Sequence, residues 1–172
     1  EDLVSDDKVK TIGVCNFCIQ LLRQILSTCR IRPSTLQVEI HPQNSQQKLV
    51  RFAHENDMKV TSFSAFGSLS YVVLSMATDA DSLLTNPSIV KIAEAKKKTP
   101  AQVLIRWALQ RNIYPLTKTV NENRMKENRD VFDFSLTDDD MAAINALNEN
   151  RRYNDPGVFC ELGMGTFCPI YE

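Results

Sequence analysis

Thr11–Phe17, TIGVCNF, is the stretch on which the fold turns. It closes a strand-like run, KVKTIGV (Lys8–Val14), and opens a helical one, CIQLLRQILSTC (Cys18–Cys29), whose apolar residues recur at helical spacing. Strands separated by helices imply parallel pairing, because parallel neighbours need a crossover between them. An open sheet that binds a dinucleotide would place a glycine-rich turn after this first strand, and GVCNF offers none. The alternative is the eight-stranded α/β barrel, whose ligands also lie at the C-terminal ends of the strands.

The same alternation runs down the chain. Further strands are expected at TLQVEI (Thr35–Ile40), KVTSFS (Lys59–Ser64) and IYPLTKT (Ile113–Thr119), with Pro115 among the first residues of the last. Ser45 is expected to cap the helix QQKLVRFAHEN, and Pro87–Lys97 and Pro100–Gln110 each carry proline in the first turn of a helix. Helices follow near Asn121–Asp130 and Thr137–Asn148, the second opened by a Thr137/Asp140 capping box. Residues 149–172 hold three of the five glycines and read as an irregular tail. A barrel of this class runs to roughly 250 residues. Four strands in 172 residues, starting at Glu1 rather than Met, therefore point to a fragment: one partial domain, the C-terminal half of a (β/α)8 barrel. Its first and last strands would have open edges, so the polypeptide alone is expected to be poorly soluble or to pair with itself.

Composition excludes several classes. A formal net charge of -1 argues against nucleic-acid binding, and no apolar run approaches the length of a membrane span. With no signal peptide, the five cysteines read as reduced thiols of a cytoplasmic protein. Cys15 and Cys18 have the spacing of a redox pair, but a zinc site would need a second pair of ligands, and His41 and His54 do not supply it. The run Lys96–Lys98 reads as a solvated helix end, Trp107 and Met125 as core, and Glu39 with His41 as satisfied structural groups.

Each strand ends in polar residues: Asn16; Glu39 and His41; Ser64 and Ser68; Lys118 and Thr119. In YPLTKTVNENRMKEN (Tyr114–Asn128) an apolar run breaks into Lys118 and Thr119 and turns into a helix bearing Arg124 and Asn128. Basic residues and free amides at a helix start favour an anion.

IGVCNF, QVEIHP, TSFSAFGS, PAQVLIRWALQRN and LTKTVNENRMKEN resemble, in order and spacing, the C-terminal half of the aldo-keto reductases. The tail RYNDPGVF and the loop SLSYVVLSMA look closest to the xylose- and aldose-reductase-like members. The resemblance implies an oxidoreductase in which a nicotinamide cofactor lies across the rim of the barrel and hydride passes to a small carbonyl substrate. It places the catalytic Asp, Tyr, Lys and His in the other half, so no catalytic residue is assigned to this chain. By the same resemblance Asn16 and Gln37 hold the carboxamide, Phe63 stacks under the nicotinamide, and Ser64, Phe66 and Ser68 follow the pyrophosphate. Lys118, Thr119, Asn121 and Arg124 match the pocket for the adenosine ribose and its 2′-phosphate, with Glu127 and Asn128 near the adenine. Asn154 aligns with a tail residue that reaches substrate.

Three positions depart from the family pattern: Cys15 replaces a serine, Phe63 a tyrosine, and Val73 a glutamate that relatives use for the ribose hydroxyls. The last favours NADPH over NADH. The alternative to a reductase is a non-catalytic barrel that keeps the nucleotide site for sensing.

Overall fold

The computed structural model describes residues 1–166. Its centre is a sheet of four parallel strands, β1 (Gly13–Cys15), β2 (Thr35–Glu39), β3 (Lys59–Phe63) and β4 (Ile113–Pro115), paired in chain order. Around it lie α1 (Asp2–Ser5), α2 (Ile19–Thr28), α3 (Gln47–Glu55), α4 (Leu69–Val72), α5 (Pro87–Lys96), α6 (Pro100–Gln110), α7 (Glu122–Arg129), α8 (Asp138–Asn145) and α9 (Pro156–Met164).

Side chains alternate across the sheet. Leu36, Val38, Val60 and Ile113 are buried and join the helix-side core with Leu104, Trp107 and Ile144. Gln37 and Thr61, which share a register row with Cys15 and Tyr114, are only half-buried. Parallel sheets are ordinarily covered on both faces. Here the helices cover one face and the other is polar, which makes the molecule an arc of a (β/α)8 barrel whose two edge strands have no outer partner among the described residues. Gly13 lets the first edge close up: a Cβ there would sit 2.7 Å from the Thr35 carbonyl oxygen.

Several expectations hold. Proline stands in the first turn of α5 and of α6, and Thr137 and Asp140 form the capping box of α8; the structure adds Asn86 and Thr99 as the caps of α5 and α6. Trp107 is buried and donates its indole N–H to Asn145 Oδ1 at 2.9 Å.

Others are corrected. The first strand is Gly13–Cys15, not Lys8–Val14, because Gly13 meets Thr35 at the very start of β2 and the residues before it face no partner strand. The last stops at Pro115 instead of reaching Thr119, and the proline closes this edge strand rather than opening it. Ser45 does not cap α3. Its amide donates to Asn148 Oδ1 and its carbonyl accepts from Arg111, so Gln46 takes the N-cap position in a left-handed conformation, φ 49°. The tail is not irregular throughout: Asp155 accepts from the Gly157 amide and Pro156 fills the first turn of α9. Residues 167–172, with Cys168, lie outside the described part of the chain. Met125 is half exposed rather than core. The Lys96–Lys98 run is not simply solvated, since Lys96 pairs with Asp140 and Lys98 with Asp130 and Asp133.

One polar side chain positions α7, which carries the candidate anion residues and buries none of its own. Gln102, itself buried, accepts from the Thr99 amide and donates to the carbonyls of Glu127 (3.1 Å) and Asp130 (2.8 Å). Gln102→Leu should cost about 1–2 kcal/mol in urea unfolding by taking the side-chain donor from the Asp130 carbonyl and leaving Glu127 with the Asp130 amide alone. Amide exchange should rise first across α7, and a variant as stable as the parent would contradict this assignment.

Candidate functional site

The four strand ends line one rim in chain order. Asn16 leaves β1 with φ 57°, and its amide still donates to the Gln37 carbonyl at 2.9 Å. That bond extends the ladder by one residue and fixes Asn16 beside Gln37. The Asn16 Oδ1 is buried and makes no hydrogen bond among the described residues. Buried polar atoms are rarely left so, and a ligand amide is the kind of group that would satisfy it.

Phe63 ends β3 in register with Glu39. Ser64 follows at φ 55°, its hydroxyl 2.7 Å from that of Tyr71. Phe66 packs part-buried on the core, and Gly67 turns the chain at φ 75°. Ser68 is fully buried, and its hydroxyl has no partner among the described residues. The backbone from Ser64 to Ser68 thus forms a tight, polar turn at the end of β3.

Beyond β4 the structure divides the expected residues by task. Thr119 Oγ1 accepts from the Asn121 amide, and Asn121 Oδ1 accepts from the Arg124 amide, so these two side chains build the start of α7. Asn128 donates to Thr117 at 3.4 Å. Among the described residues Lys118 and Arg124 have no acidic partner, and both are exposed together with Glu127. Two unpaired cations beside a helix N-terminus make a surface suited to a phosphate.

Not everything converges. A cavity of about 520 Å³ lies between the starts of α2 and α3, lined by Asn16, Phe17, Cys18, Ser45, Gln46 and Asn148. Of the residues expected to bind cofactor, only Asn16 reaches it; the others lie along the rim. No cluster of three metal-ligating side chains occurs among the described residues. Cys15, Cys18, Cys29 and Cys160 are free thiols.

The sequence pointed to Glu39 and His41 but not to what they hold. The Glu39 carboxylate, fully buried, accepts from His41 Nε2 (2.9 Å) and from the backbone amides of Tyr153 (2.7 Å) and Asn154 (2.8 Å). The Asn154 backbone is thereby fixed at the end of β2, where Glu39 is in register with Phe63. Burial pushes the Glu39 carboxyl up, but the His41 contact and the two amides outweigh it and hold the pKa below its ordinary 4.5. A lowered folded-state pKa stabilises above the unfolded-state value and is lost as pH falls through the folded one. Below pH 4.5 the urea midpoint should therefore fall more steeply in the parent than in Glu39→Gln. At neutral pH the variant should be less stable by about 3 kcal/mol, and parallel pH curves would remove Glu39 as the source.

Comparison with known proteins follows the same lines. The model of the aldo/keto reductase family matches residues 1–149. An NAD(P)H-dependent D-xylose reductase of Aspergillus niger is 41% identical over 173 residues, spanning 99% of this chain and 53% of the relative. A probable NAD(P)H-dependent D-xylose reductase of Emericella nidulans is 46% identical over 158 residues, 91% of this chain and 50% of the relative. Among solved structures, a Bombyx mori aldo-keto reductase in complex with NADP superposes with a TM-score of 0.82 at 31% identity, over 92% of this chain and 51% of its own. The aldose reductase of Schistosoma japonicum gives 0.80 at 35%, over 99% and 51%. The chain spans about half the length of the relatives it matches.

Proposed function

This chain belongs to the aldo/keto reductase family, and from that premise we propose that it is the dinucleotide-binding half of an NADPH-dependent reductase of aldehydes and ketones, aldose-type sugars among them. The observation that carries the reading is the unpaired pair Lys118 and Arg124 on the rim that also holds Asn16 and Gln37. The Arg124 guanidinium offers a fork of donors for a 2′-phosphate, with the start of α7 adding amides of the same polarity.

The residues fit the cofactor along its length. Asn16 and Gln37 would take the carboxamide, the Phe63 ring would support the nicotinamide, and Ser68 with its unpaired hydroxyl would meet the pyrophosphate. Ser64, Phe66 and Gly67 shape that turn. Thr119 and Asn121 would act through the backbone they cap, and Glu127 and Asn128 would flank the adenine. Val73, 85% exposed, brings no carboxylate for unphosphorylated ribose, which supports NADPH over NADH. When bound, NADPH supplies the hydride; the chain's own residues bind, orient and neutralise charge.

Asn154, fixed by Glu39, would present its side chain to the carbonyl substrate. The proton donor and its partners would come from the first half of the barrel, docked on the polar face and open edges of the sheet. In this reading the 172-residue chain alone binds dinucleotide without turnover, residues 149–172 act as a tail on one partial domain, and the enzyme is cytoplasmic, in keeping with its free thiols.

Calorimetric titration of the chain with NADP+ and NAD+ tests the central point. Arg124→Met should weaken NADP+ by about 10- to 100-fold, the worth of a hydrogen-bonded charge, and NAD+ by less than about two-fold. Equal losses for both, or no loss for either, would reject the 2′-phosphate assignment.

A further inference from the structure

The tail meets the rim through side chains that the proposed function leaves unused. Tyr153 is 2% exposed and its ring stacks on that of Tyr71, with centroids 5.7 Å apart and planes at 17°. Tyr71, in α4, shares the 2.7 Å hydroxyl contact with Ser64. Arg151 pairs with Asp81 and lies over the Tyr153 ring at 4.8 Å. Asp81 is itself held by the amide and hydroxyl of Thr78. The Tyr153 hydroxyl donates to Gln43 Oε1 at 3.0 Å, and its amide is gripped by Glu39.

These contacts join two stretches far apart in sequence, residues 64–81 and 149–155. A non-glycine residue at positive φ keeps that conformation only when its surroundings impose it. For Ser64, at φ 55°, the side-chain restraint is Tyr71, and the Tyr71 ring is in turn backed by Tyr153. With Tyr71 as donor, the Ser64 O–H stays free to face an anion.

We propose that Tyr153 is a positioning residue for the dinucleotide-facing turn: through Tyr71 it fixes Ser64, so the seating of the tail sets how well residues 64–68 hold a pyrophosphate. This rests on the dinucleotide reading above for its ligand, but the mechanical link between tail and turn stands on the contacts alone. Tyr153 touches no ligand in this scheme and acts only through its neighbours.

Amide hydrogen exchange on the full 172-residue chain separates the two. Tyr153→Leu should speed exchange across residues 64–81 by about 5-fold, the size of an aromatic pair, while α5 and α6 keep their protection. Tyr153→Phe retains the stack and should stay within about two-fold of the parent across the same residues. NADP+ affinity should follow the same order, weaker for Tyr153→Leu and unchanged for Tyr153→Phe. If Tyr153→Leu fails to fold, Arg151→Met, which removes a partly exposed guanidinium, should still loosen residues 64–81 by about two-fold, the effect of one partly exposed ion pair. Loosening confined to the tail, or a Tyr153→Phe variant as disturbed as Tyr153→Leu, overturns the proposal. A parent chain that binds no NADP+ overturns the dinucleotide reading instead, and the exchange pattern still decides the link.

Discussion

A buried carboxylate with nowhere to discharge is the constraint on which the rim depends. Glu39 ends the second strand, fully buried, where an isolated charge would be strongly disfavoured. It is tolerated because His41 and two backbone amides surround its oxygens. Those amides belong to Tyr153 and Asn154, so satisfying one charge fixes a segment 114 and 115 residues further along. The tail then covers the end of the second strand, seats its aromatic ring on Tyr71 and brings Arg151 to Asp81. Without Glu39 the same residues would keep their bonds to Gln43, the ring contacts and a partly exposed ion pair, but would lose the buried charge that grips two consecutive amides.

The second constraint is the uncovered face of the sheet. On the helix side, alternating positions bury Leu36, Val38, Val60 and Ile113; on the other, the chain places Cys15, Gln37, Thr61 and Tyr114. Such a face neither drives collapse nor tolerates a dry partner, since Gln37 and Thr61 would need hydrogen-bonding neighbours. It is the inner face of a closed barrel, seen with half the strands present. The half-length match to relatives and the unpaired edges of β1 and β4 are two views of that one fact.

Local signals were legible where the physics is local. Proline in the first turn with Asn86 or Thr99 before it, and the Thr137/Asp140 box, announce α5, α6 and α8 because a cap is made by residues within a turn of each other. The same local cap stands in Asp155–Pro156, but the glycines around it hide the helix that follows. Strand limits were not legible, since Lys8–Ile12 and Leu116–Thr119 are extended-looking sequence without a partner strand. Ser45 failed as a cap for a distant reason: Asn148 and Arg111 take its backbone groups first. At the site, Lys118 and Arg124 stood out as charges out of place, whereas the clamp at Glu39 joins residues too far apart for any spacing rule to connect.

The two ends of the proposed cofactor site are built on opposite principles. At one end, Asn16 and Gln37 are set by the backbone ladder between β1 and β2, so changing their geometry means changing the sheet. At the other, Lys118 and Arg124 project from a loop and from a helix that buries no side chain and is tied down by Gln102. Substitution at the first end disturbs folding; substitution at the second is nearly free of it. In the proposed site, choice between phosphorylated and unphosphorylated dinucleotide would therefore sit where the fold is least committed, and Val73, exposed on the loop after α4, belongs to the same permissive class. In the proposed site Cys15 and Phe63 would lie nearer the nicotinamide, where Phe63 would keep an aromatic face without a hydroxyl.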